Sequence, residues 1–247
     1  MNITDRYLLG ITCPGRKSLI SAECSNQFST IGERSGMDWK FVDPSVPHRT
    51  LILVSKFAHC PNDPRYRKLT AELNIDITTV ASNHLALNPK AHFHQVPLKV
   101  LSANRSKLST KAKQEELILE LAEGQGGDLV ILARYKQVLL DELRRNPAGL
   151  CINIHHSRSP SSKRARPHHK AHKAGVKAIG VTAHCMRLDL DEGPITVQEV
   201  VRVDQPPRLS QLLATGRNVE TDLLYRAVKA YIQHRLFLNG HKTVVLK

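Results

Sequence analysis

The chain has 247 residues, 41% of them hydrophobic, and a formal net charge of +14. That apolar content excludes a disordered protein, and no apolar run approaches the roughly 20 residues needed to span a bilayer. The opening Met1-Asn2-Ile3-Thr4-Asp5-Arg6 lacks the basic and apolar regions of a signal peptide, and the five cysteines form no C-x-x-C pair, so a reducing cytoplasm is expected.

In chain order, residues 1–49 carry scattered Ser, Gly and Pro, with no sustained period. Tyr7–Ile11 reads as one strand, with a helix starting near Ser18. From Leu51 the pattern changes. Leu51–Val54, Ile75–Val80 and Val96–Leu101 read as strands. Lys111–Glu123 has helical spacing of its leucines. Asp128–Leu132, bounded by Gly126-Gly127, reads as a strand covered on both faces. Gln137–Arg145 reads as a helix ending before Asn146-Pro147, and Leu150–Ile154 as the next strand. Val176–Cys185 and Ile195–Val203 read as later strands, and Gln211–Leu238 as one long helix or two shorter ones. Strands separated by helices predict an α/β fold with a central, mostly parallel sheet. The expected division is a reduced α+β segment over residues 1–48 and a catalytic domain over 49–247.

Two motifs carry chemistry. The first is Asn153-Ile154-His155-His156-Ser157, and the second is Leu190-Asp191-Glu192-Gly193-Pro194. Residues two apart on a strand share a face, so a strand reaching His155 brings Asn153 and His155 to one pocket. An amide can hydrogen-bond the oxyanion formed when a carbonyl is attacked. An imidazole titrates near neutrality and can carry the proton. A carboxylate, Asp191, can orient the imidazole and hold a water. These groups fall where open α/β sheets bind ligands, at the carboxyl ends of strands. There is no G-x-G-x-x-G after the first strand and no G-x-x-x-x-G-K-[ST], which argues against a dinucleotide or P-loop site.

The basic residues are spread along the chain, with one dense patch at Lys163–Lys170 that has no aromatic residue for base stacking. This argues against nucleic acid and favours a solvated surface or a site that attracts a polyanionic ligand. His168 and His172 are four apart without a third ligand at suitable spacing, so no metal site is expected.

Both motifs resemble those of formyltetrahydrofolate deformylases, in the superfamily that includes glycinamide ribonucleotide transformylase and methionyl-tRNA formyltransferase. The resemblance extends to Ala165-Arg166-Pro167 with His169, Gly180-Val181-Thr182-Ala183-His184 and Gly216-Arg217-Asn218-Val219-Glu220. It covers nearly all of residues 50–247. Thr12-Cys13-Pro14 with Lys17, Leu19 and Ile20 resembles the opening of the family's ACT-type domain, here expected in truncated form. The chain departs from the family pattern at Pro61–Arg67, at Lys136 and Gln137, and at Arg158–Arg164.

The resemblance implies a formyltransferase-like Rossmann-type fold and hydrolysis of 10-formyltetrahydrofolate by water to formate and tetrahydrofolate. The catalytic residues would be Asn153, His155 and Asp191. Leu139, His184 and Leu190 would bind substrate, between the loop after Leu132 and the loop before Asp191. Folate is then the substrate, no further cofactor is needed, and the formate serves purine biosynthesis. A homo-oligomer is compatible with this reading. The alternatives are formyl transfer to an amine, or a degenerate non-catalytic folate-binding paralogue. His156 after the catalytic His speaks against transfer.

Overall fold

The computed structural model describes residues 22–55, 59–83, 97–101, 108–124, 127–133, 135, 150–155, 177–186, 193–203, 208–239 and 242–246. The chain divides into two compact units, Met1–Pro47 and His48–Lys247.

The first unit contains helix α1 (Ala22–Arg34). Phe28 on that helix meets Trp39 edge-on at 5.3 Å and Phe41 at 5.6 Å, and Trp39 meets Phe41 at 5.4 Å. Gly32 lies under the indole, where any Cβ would overlap the Trp39 ring. The expected strand over 7–11 lies outside the described residues.

The second unit is built on a seven-stranded sheet. Its strands are β1 (His48–Val54), β2 (Ile75–Ser82), β3 (Leu98–Val100), β4 (Leu129–Ala133), β5 (Leu150–His155), β6 (Ala178–Met186) and β7 (Ile195–Arg202). They lie in the order β3-β2-β1-β4-β5-β6-β7. β3 to β5 form a parallel block, and β6 and β7 are added antiparallel. The parallel strands are apolar runs because both faces are covered. All five residues of Leu129–Ala133 are buried.

On one face Ile52, Ile131, Ile152, Ile154 and Ala183 pack against Leu223, Ala227 and Val228 of the long helix over Leu209–Ile232. On the other, Leu53, Val130, Leu132 and Cys151 pack against Ile118, Leu121 and Ala122 of the helix over Leu108–Glu123. The α/β class and mostly parallel sheet are therefore as expected.

Two elements differ from the sequence reading. A helix spans His59–Leu69, so the helices number α1, α2 (59–69), α3 (108–123) and α4 (209–232). Pro61 and Pro64 hid α2. Pro61 sits in the first turn, where its missing N–H costs nothing, and Pro64 lies inside the helix. The second difference is at the carboxyl end. The helix expected to reach Leu238 stops at Ile232, and His234 adopts a left-handed φ of 53°. The chain then forms the hairpin β8 (Leu236–Asn239) and β9 (Lys242–Val245). Asn239-Gly240, a strong hairpin dipeptide, was the available signal. The expected helix over Gln137–Arg145 lies outside the described residues.

Candidate active site

The alternation along β5 fixes which way its residues face. Ile152 and Ile154 enter the core under α4, and Cys151 enters the core under α3. Asn153 and His155 therefore lie on the α3 face, at the carboxyl end of the strand. Next to Asn153 in the parallel direction is Leu132 of β4.

Across the antiparallel pairing, Asn153 is directly opposite His184 and His155 is opposite Thr182. Directly paired residues share a face and stand close, so four polar positions cluster: Asn153, His155, Thr182 and His184. Asn153 is half-buried. Thr182 is buried, and its hydroxyl accepts a hydrogen bond from Gln198 Nε2 at 3.4 Å.

His184 is half-buried, and its Nδ1 lies 3.0 Å from the Gly193 carbonyl oxygen. A carbonyl only accepts, so Nδ1 carries the proton and donates. At this point the β6–β7 register shifts, from Ala183 opposite Val197 to His184 opposite Ile195. The extra residue of β7 is Thr196, whose hydroxyl shares a 3.0 Å hydrogen bond with the Cys185 thiol. Bulges of this kind re-aim side chains beside functional sites. Here it sets the buried Gly193-Pro194 pair beside His184.

The structure thus brings together Asn153, the backbone of His155, His184 and the Gly193-Pro194 segment that leads into β7. The His155 side chain and Leu139, Leu190 and Asp191 lie outside the described residues. So do the divergent pair Lys136 and Gln137 and the block Arg158–Arg164. Sequence reasoning missed Thr182 and Gln198. Thr182 is two residues before His184 on the same strand, so alternation could have placed it on the site face.

Residues 48–228 match the formyl transferase family model. A formyltetrahydrofolate deformylase of Corynebacterium sp. (strain P-1) is 41% identical over 227 residues, covering 90% of this chain and 77% of that protein. The chain belongs to the formyltetrahydrofolate deformylase family. Its fold agrees with the crystal structure of a deformylase from Burkholderia mallei, at 46% identity and a TM-score of 0.82, covering 92% of this chain and 80% of that one. The fold extends to glycinamide ribonucleotide transformylase 1 of Symbiobacterium toebii, at 21% identity and a TM-score of 0.69, covering 86% of this chain and 100% of that one. Among the described residues, no helix is long and apolar enough to cross a membrane.

Proposed function

We propose that this chain hydrolyses 10-formyltetrahydrofolate to formate and tetrahydrofolate. The observation that carries the reading is the placement of Asn153 and His155 on one face of β5, at the carboxyl edge of a deformylase-type sheet. Water adds to the formyl carbon, and the carbonyl oxygen becomes an oxyanion held by the Asn153 amide. His155 takes the proton from the attacking water and delivers it to N10 as the carbon–nitrogen bond breaks. Asp191 orients His155 and the water. Asp191 is two residues before Gly193 in the sequence.

Leu139 and Leu190 border the folate in this proposal, His184 acts through its contact with the Gly193 carbonyl, and residues 1–48 are an ACT-like segment. The activity belongs to the cytoplasm, where released formate supports purine biosynthesis.

The deciding experiment gives purified protein 10-formyltetrahydrofolate with no amine acceptor. Formate release at a rate proportional to enzyme supports the proposal. Release that requires an added amine makes the chain a transferase, and no turnover under either condition makes it a non-catalytic binder. Either of these outcomes defeats it.

A further inference from the structure

The Gly193-Pro194 segment, where the chain turns into β7, is held through its carbonyls. The Gly193 oxygen accepts from the His184 imidazole at 3.0 Å, and the Pro194 oxygen accepts from the Cys185 backbone N–H at 3.0 Å. Proline has no N–H of its own to donate. Adjacent residues of β6 thus grip adjacent residues of the turn, one through a side chain and one through the backbone. The gripping side chain belongs to the residue directly opposite Asn153. A bulge that places an imidazole there, facing a buried carbonyl, costs regular pairing and holds one feature in place.

We propose that His184 is a positioning residue. Its Nδ1–H, donated to the Gly193 carbonyl, fixes the turn that follows Asp191 against the strand that carries Asn153. The inference rests on the deformylase reading for its kinetic consequence, though not for the hydrogen bond. The working atom is Nδ1. Losing that donor leaves the turn free to shift, and misplacement of about 1 Å in a catalytic group costs up to about a hundredfold in rate. The substrate need not touch His184, so the loss appears in kcat rather than in KM.

The test exploits side-chain shape. The amide nitrogen of Asn falls where Nδ1 of His lies, and that of Gln falls near Nε2. His184→Asn keeps the donor to Gly193, whereas His184→Gln and His184→Ala lose it. The expected result is kcat within about threefold of wild type for His184→Asn and a fall of roughly ten- to a hundredfold for the other two. KM stays within about threefold throughout. Retained activity in His184→Gln with loss in His184→Asn would make Nε2 the working atom and overturn the proposal. Equal loss in all three, no loss in any, or a rise in KM at constant kcat would also overturn it.

A second measurement is independent of activity. In 15N-histidine-labelled wild-type protein, the His184 signal is identified by its absence from His184→Asn. It should report a protonated Nδ1 at neutral pH, and an unprotonated Nδ1 overturns the proposal whatever the kinetics. If wild-type protein releases no formate, the proposed function falls and the tautomer still decides this inference.

Discussion

Asn153 illustrates how a residue type and a register together define a role. Its side chain is half-buried at the carboxyl end of β5, opposite His184. It is held on a strand whose neighbouring positions, Ile152 and Ile154, are packed into the core. Asn153→Ala should therefore fold normally. It should lose roughly 10²- to 10³-fold in kcat, the usual cost of removing one oxyanion donor. Asp191→Asn should lose about two to four powers of ten for want of an acid–base partner. Unchanged thermal melting with these losses supports the roles, and near-wild-type turnover in either variant removes that residue from the mechanism. That Asn153 and His155 fall on one face of one strand was legible in the sequence because strand alternation is a strict rule. Alternation from His184 reaches Thr182, but Gln198 was not legible, because a polar residue on a strand carries no mark of what it faces until the register is known, and Gln198 meets Thr182 only through the β6–β7 pairing.

At the scale of elements, the strands were legible because burial on both faces writes them as apolar runs. α2 was hidden because its stability comes from outside its own sequence. Arg67 is central to that support. Its guanidinium lies 3.6 Å from the Tyr225 ring centroid on α4, and it donates to Asp63 at 2.8 Å and Glu72 at 2.5 Å. The Tyr225 contact and the Asp63 pair, both partly shielded, are each worth about 0.5–1 kcal/mol. Arg67→Ala should thus lower stability by about 1–2 kcal/mol in urea unfolding, and Arg67→Lys should recover only part because Lys lacks the planar fork. Full recovery by Lys would show that charge alone suffices.

Asp63 adds a pH signature to the same cluster. Burial raises its carboxyl pKa above the ordinary 3.8, outweighing the lowering by Arg67. The folded state then binds this proton more tightly than the unfolded state does. Its contribution to stability is largest in acid and declines as pH rises through the window above 3.8. The stability of wild type minus that of Asp63→Asn should fall as pH rises above 3.8 and then level off. A difference that rises over that range contradicts the burial argument.

At the scale of the whole molecule, the two units differ in what can hold them. His48–Lys247 has a sheet covered on both faces. Met1–Pro47 is 47 residues long and its described core is Phe28 of α1 packed against Trp39 and Phe41. Chains of that size bury too small a fraction of their surface to be more than marginally stable. Trp39, the only tryptophan of the chain, lies in this unit. Its fluorescence therefore reports on the small unit alone, while far-ultraviolet circular dichroism is dominated by the large one. In a urea titration the fluorescence transition should come first and the dichroism transition later, because non-coincident probes mark separate cooperative units. Gly32→Ala should sharpen the distinction. A methyl group at position 32 would occupy the space of the Trp39 indole, so the ring must leave its seat on α1. Overpacking of this kind costs about 1–3 kcal/mol. The fluorescence transition should move to lower urea, with the main dichroism transition unmoved. Coincident transitions in wild type that shift together in Gly32→Ala would mean instead that the two units unfold as one.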